Sequence, residues 1–289
     1  MAVRKDTIFE QYLAPIVKNV LIDRAAIKAL YDLYDWEAEA QTRTNPQLTY
    51  PDYYTRHNFH SIENGYLSAE AAVSYDPITQ YALPPNETWV RQSLLDQIHV
   101  RPSRILDLGC GTGTMALKLK AKFPQAEVIG LDLSPYMLTV ADHRATTDGL
   151  SITWRHGLAE STGLPEGQFD LITIALLFHE TPPEIAQRIL QEAYRLLRTG
   201  GEVLILDGNQ KVLRQSGWLT NIFDEPYIQD YASGDLETWL SEAGFGAIAS
   251  ESIWVIHQLA SGVKGITDNV KKPVFSTMKA QGNRRWAAQ

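Results

Sequence analysis

The chain has 289 residues, 44% of them hydrophobic and 21% charged, the balance of a globular protein with a substantial core rather than a disordered chain. Lys plus Arg number 26 against 34 Asp plus Glu, a net charge of −8 that disfavours a nucleic-acid backbone as the main partner. Its one cysteine, Cys110, excludes an intrachain disulfide and a multi-cysteine metal cage. No apolar run approaches the ~20 residues of a membrane span and no secretory leader pattern is visible, so a cytoplasmic protein is expected.

In chain order, Ile8, Tyr12, Ile16 and Val20 recur at four-residue spacing and predict an amphipathic helix, with Pro15 as a kink. Cap packing, a homodimer contact and weak membrane association are its three readings. Arg24–Ala40 is predicted as a second helix. The stretch Tyr50–Tyr81 is rich in tyrosine and holds His57, Phe59 and His60. Glu87–Ile98 is a further helix.

From Arg104 the pattern changes to short apolar runs at Arg104–Leu108, Glu127–Asp132, Ser151–Arg155, Phe169–Ala175 and Glu202–Asp207. Helical stretches Met115–Lys122, Ser134–Asp148 and Pro183–Arg198 alternate with them. That alternation predicts an α/β fold: a doubly wound, mostly parallel, Rossmann-like sheet covered by helices on both faces. Asp235–Ala243 reads as a helix stopped by Gly244, and Ala247–Ser250 with Ile253–Leu259 as an antiparallel edge hairpin, completing seven strands. Three regions are thus expected: a helical cap over 1–85, a core over 86–262 with an insertion at 208–230, and a basic tail over 263–289. The tail carries Lys264, Lys271, Lys272, Lys279, Arg284 and Arg285.

The most informative segment follows the first core strand: Asp107-Leu-Gly-Cys-Gly-Thr-Gly113. Its glycines permit a sharp turn and close backbone approach to a ligand, and the carboxylate of Asp107 marks the crevice mouth. Asp132 ends the second strand, where an acidic side chain can accept from ribose hydroxyls. A dinucleotide loop would space its third glycine differently and set a helix start on phosphates.

This set resembles the class I S-adenosylmethionine-dependent methyltransferases, whose first motif matches Asp107–Gly113 and whose second matches Asp132. The turn in Tyr194-Arg-Leu-Leu-Arg-Thr-Gly-Gly-Glu-Val-Leu-Ile205 also resembles the family. The likeness covers about residues 90–260. It implies that S-adenosylmethionine is the cofactor, with Asp107, Gly109, Cys110 and Gly111 at its methionine part and Asp132 at the ribose. Leu133, Met137, Leu158, Ala159 and Ala175 are expected around the rest of the ligand. Many relatives carry Gly-Asp-Ala where this chain has Gly157-Leu-Ala-Glu160, which leaves adenine to backbone groups or Glu160.

Methyl transfer needs alignment and, for some acceptors, a proton acceptor. After the fourth strand comes Leu176-Leu-Phe-His-Glu180, not the Asp/Asn-Pro-Pro-aromatic tetrapeptide of enzymes that methylate base amines. His179 is the candidate base, its alternative being a strand-end anchor. Tyr53, Tyr54, His57, His60 and Phe178 are expected at the acceptor, a small aromatic or hydrophobic metabolite methylated on oxygen or carbon. His57 and His60 lack a visible third ligand, so no metal is expected. An RNA or protein methyltransferase and a non-catalytic S-adenosylmethionine-binding module are the rival readings.

Overall fold

The computed structural model describes residues 23–60, 62, 65–79, 86–216 and 225–265. The expected helix at 8–20, the centre of the insertion and the basic tail beyond Gly265 lie outside them. Before the sheet come α1 (Arg24–Tyr31), α2 (Trp36–Arg43), α3 (Asp52–Thr55), α4 (Ala69–Thr79) and α5 (Glu87–Asp96). The single helix expected over 24–40 is two, because Asp35 caps α2 by accepting from the Ala38 amide and so starts a new helix.

The core runs β1 (Arg104–Leu108), α6 (Thr114–Lys122), β2 (Glu127–Asp132), α7 (Pro135–Thr147), β3 (Thr153–His156), β4 (Phe169–Ala175), α8 (Pro183–Leu196) and β5 (Leu197–Gly208). It closes with α9 (Gln210–Gln215), α10 (Ile228–Ser233), α11 (Leu236–Glu242), β6 (Gly246–Ile253) and β7 (His257–Val263). One seven-stranded sheet has the order β3-β2-β1-β4-β5-β7-β6. β1 to β5 are parallel and β7 is antiparallel to both β5 and β6. The hairpin turn falls at Trp254–Ile256, so β6 is longer than the sequence pattern indicates, and β7 has the expected length but begins four residues later.

Strand residues alternate between two cores, which is why their sequences read as unbroken apolar runs. Ile172, Ile174, Val203 and Ile205 face α8, α10 and α11 through Ile189, Tyr231 and Trp239. Leu171, Ala175, Leu204 and Leu206 face α5 and α6 through Leu94, Leu95, Met115 and Leu119. α8 buries Ile185, Ala186, Ile189, Leu190, Ala193 and Leu196, one helical stripe, against the sheet.

The N-terminal helices sit on α7. Trp36, Phe59, Tyr66 and Val73 form a third core with Met137 and Val140 of that helix. Arg43 donates to Thr139 and pairs with Asp142, and His156 at the end of β3 accepts from the Asn45 amide. Asp76 of α4 pairs with Arg144 at 2.7 Å and accepts from Thr112 and Thr114, tying the N-terminal region to the glycine loop. No described helix is long and apolar enough to cross a membrane.

Candidate active site

The order β3-β2-β1-β4 reverses direction at β1, so a crevice opens beyond the carboxyl ends of β1 and β4. Register places Asp107 opposite Gly130 of β2 and Thr173 of β4, so Asp107 and Asp132 belong to the same edge of the sheet. The loop leaves β1 through Gly109, Gly111 and Gly113, all left-handed at φ +67, +53 and +79. A Cβ on Gly113 would lie 2.7 Å from the Trp154 ring, whereas one on Gly111 would meet nothing within 4 Å. Gly113 is required for packing, and Gly111 leaves open space for a ligand.

The loop amides are spent within the protein. Gly109 and Cys110 both donate to the Leu131 carbonyl, Gly111 donates to Asp132 Oδ2 at 2.7 Å, and Gly113 donates to the Cys110 carbonyl. These amides do not form the donor cradle that the glycine spacing invites one to expect. A pyrophosphate would need such donors, so the loop is built against a dinucleotide and for a ligand that presents donors or positive charge.

A cavity of about 870 Å³, counted with its mouth, is lined by Gly109, Cys110, Gly111 and Asp132 on the loop side. Leu133, Met137, Leu158, Ala159 and Ala175 form its apolar wall. Tyr53, Tyr54, Tyr66 and Tyr75 come from the N-terminal region, and Arg91 is the cation among the lining residues. That volume lies in the range of small-molecule sites, roughly 300–1,000 Å³. Burial pushes the Asp132 carboxyl up to about 6 against the amide bonds from Ser134 and Gly111. Asp107, expected at the crevice mouth, lies instead beneath the loop at 1% exposure. Its Oδ1 accepts from Thr173 at 2.7 Å, its Oδ2 has no hydrogen-bond partner among the described residues, and burial pushes it up to about 6 despite Thr173 and Arg91. Two desolvated carboxylates, an orphaned carboxylate oxygen and an opposing guanidinium fit a ligand with a cationic centre and a carboxylate end.

Sequence reasoning missed Arg91, which lies outside every motif and is set by its Nε bond of 2.8 Å to Glu87 one helical turn back. It also passed over Leu176, held at φ +60 where β4 ends on the cavity wall. Tyr66 and Tyr75 carried a visible signal, the tyrosine-rich stretch itself.

The residues expected at the acceptor separate. Phe178 is fully buried in the sheet–helix core and does not line the cavity. His57 is exposed, its ring 5.2 Å from that of Tyr227, and does not pair with His60. His179 sits on a short turn, Phe178–Glu180, that Asp207 organises from the end of β5. Asp207 takes the Phe178 amide on Oδ2 at 2.8 Å and His179 Nδ1 on Oδ1 at 2.6 Å. Burial lowers the His179 pKa, but the Asp207 charge and hydrogen bond outweigh it and raise the ring to about 9. The same pairing with Asp207 fixes the orientation of the ring and leaves Nε2 facing Glu180, 3.9 Å from its Oε1. Glu180 reaches the cavity, with Oε1 accepting from Tyr66 at 2.7 Å and lying 3.2 Å from His60 Nε2.

Sheet order, glycine loop and paired carboxylates define a class I methyltransferase fold with a small-molecule crevice. Comparison with known proteins agrees. The family described as a methyltransferase domain matches residues 105–201. The chain is similar to a demethylmenaquinone methyltransferase of Thermus thermophilus, 35% identical over 142 residues, 49% of this chain and 64% of that protein. An uncharacterised methyltransferase of Synechocystis is 31% identical over 163 residues, covering 53% of this chain and 72% of that one. The phosphoethanolamine N-methyltransferase 2 of Haemonchus contortus, solved with S-adenosyl-L-methionine, shares the fold at a TM-score of 0.53 and 16% identity. That match covers 69% of this chain and 58% of the other. The chain belongs to the class I S-adenosylmethionine-dependent methyltransferases, and S-adenosylmethionine is its cofactor. It spans less than two thirds of the length of the Thermus relative.

Proposed function

We propose that the chain transfers a methyl group from S-adenosylmethionine to an oxygen or carbon of a small aromatic or hydrophobic metabolite of the quinone or phenol type. The observation that carries this reading is the single cavity shared by the glycine loop and four tyrosines, Tyr53, Tyr54, Tyr66 and Tyr75. Aromatic walls with polar tips suit a flat, partly polar acceptor. The similarity to a protein named for demethylmenaquinone methylation supports the same class.

The cofactor, when bound, supplies an activated methyl on a sulfonium; the chain's own residues orient and desolvate. Asp132 would accept from the ribose hydroxyls, and Leu133, Met137, Leu158 and Ala159 would enclose the adenine. Gly109, Cys110 and Gly111 would border the methionine part, with Asp107 placing its charge beneath them and Ala175 closing the floor. Arg91 would meet the carboxylate. Tyr53 already donates to Glu160 at 2.9 Å, so Glu160 serves first to hold the cap over this end. At the other end Glu180 and Tyr66 form the polar limit of the acceptor space, with His60 and His179 behind them.

Two measurements test the reading. Calorimetry should show S-adenosylmethionine binding that Arg91→Ala weakens about 10–100-fold, the range of one charged hydrogen bond, while adenosine binding stays unchanged. Transfer of labelled methyl to a panel of demethylated quinols and catechols should give a product on carbon or oxygen. Cofactor binding with no transfer to the panel would favour a non-catalytic module, and transfer to RNA or protein alone would overturn the acceptor class.

A further inference from the structure

Behind the acceptor space, three metal-ligating side chains converge from two distant parts of the chain. His60, His179 and Glu180 offer ligand atoms that all lie within 4.8 Å of one another. His60 Nε2 is 3.2 Å and His179 Nε2 is 3.9 Å from the same Oε1 of Glu180, which also accepts from the Tyr66 hydroxyl. Each ring is held from its other nitrogen by a buried carboxylate. His60 Nδ1 lies 2.8 Å from Glu225 Oε1, and His179 Nδ1 lies 2.6 Å from Asp207 Oδ1.

This pattern, a ligating imidazole whose far nitrogen is fixed by a carboxylate, orients histidines at metal centres and raises their basicity as ligands. Glu225 fixes more than the ring, because it also accepts the His60 amide at 2.7 Å while His60 stays at φ +49. A non-glycine residue in that region is strained, and strain retained at a polar cluster marks a site. Glu225 is 7% exposed and its Oε2 has no hydrogen-bond partner among the described residues, so the described cluster leaves one buried acceptor unsatisfied.

We infer that His60, His179 and Glu180 bind one divalent transition-metal ion of the zinc type at the acceptor end of the cavity. In a four-coordinate site with bonds of about 2.1 Å, neighbouring ligand atoms stand about 3.4 Å apart, so the rings need move only a fraction of an ångström to about an ångström. Two imidazoles with one carboxylate select zinc, cobalt or iron(II) over magnesium and calcium, which prefer oxygen donors. Glu180 lines the cavity, so a coordination position left open would face the acceptor. A phenol or enol oxygen bound there would give up its proton more readily. That role rests on the function proposed above; the binding of the ion does not.

The test uses the tag-free full chain, stripped with a chelator and titrated separately with zinc chloride and magnesium chloride. One zinc per chain should bind, without competition from magnesium. Glu225→Gln, which keeps all three ligands, should weaken zinc about 10–100-fold, and His60→Gln should abolish stoichiometric uptake. Absence of stoichiometric uptake by the native protein, or uptake unchanged in both variants, overturns the site. Should a variant not fold, cobalt(II) substitution of the native chain decides. Visible d–d bands without a thiolate band support the site. A featureless spectrum, or a thiolate band from Cys110, overturns it. Zinc binding with no methyl transfer to quinols would refute the acceptor class and leave the metal site standing.

Discussion

Asp107 is a buried carboxylate held at a cost to the fold. Its folded-state pKa of about 6 stands above the reference value of 3.8 because burial outweighs the Thr173 hydrogen bond and the Arg91 charge. Folding therefore takes up protons between these values. The ligand-free protein is favoured most below the lower value, and stability is lost as the pH rises through about 6. The difference between the two values corresponds to about 3 kcal/mol at neutral pH. Asp107→Asn is accordingly expected to stabilise the ligand-free chain at pH 7.5 by up to about 3 kcal/mol, with the gain gone by about pH 4, while weakening S-adenosylmethionine. Chemical denaturation at the two pH values measures it, and a pH-independent difference would refute the account.

At the scale of elements, the glycine loop acts through shape rather than through free amides. Gly113 and Gly111 share the left-handed region but differ in surroundings, so the same substitution should have different consequences. Gly113→Ala forces a methyl against Trp154 and Ala141 and should destabilise by about 2–4 kcal/mol, strain and overpacking together. Gly111→Ala meets no neighbour, so it should cost only the backbone term of about 1 kcal/mol and act mainly on cofactor affinity. Melting curves with and without S-adenosylmethionine separate the two. Equal losses would show that the loop is not differentiated as described. The turn after β4 follows the same logic, because Asp207 at the end of β5 satisfies both the Phe178 amide and the His179 ring.

Over the whole molecule, the N-terminal region is joined to the sheet at a few polar points as well as through its apolar contact with α7. His156 is one of them: Nδ1 accepts from the Asn45 amide at 2.9 Å, and Nε2 donates to the Leu133 carbonyl at 2.9 Å. Burial holds its pKa below 6.5 despite that second bond. The unfolded chain takes up a proton that the folded one resists, so this contribution is present above pH 6.5 and lost on acidification. A proton on Nδ1 would also face the Asn45 N–H. His156→Gln should cost about 1–2 kcal/mol at pH 7.5 and progressively less towards pH 5. A difference that grows on acidification would show that the ring is not held neutral by the fold.

How much of this was legible beforehand follows from the range of each interaction. The sheet was readable because strands buried on both faces need unbroken apolar runs, and helices between them need one stripe. The glycine loop was readable because left-handed backbone demands glycine at fixed intervals. Asp132 on the cavity wall follows from its place at a strand end, a local fact. The destination of the Gly109, Cys110 and Gly111 amides, the burial of Asp107 and Phe178, and the entry of Arg91 into the crevice depend on neighbours 20 or more residues away in sequence, as Leu131, Asp132, Thr173 and the packing of α5 show. The meeting of His60 with His179 and Glu180 is the extreme case. Sequence supplied a His-x-x-His pair without a third partner, and only the packing of the N-terminal region against the turn after β4 chose one of those histidines, turned the other to solvent and brought the carboxylate.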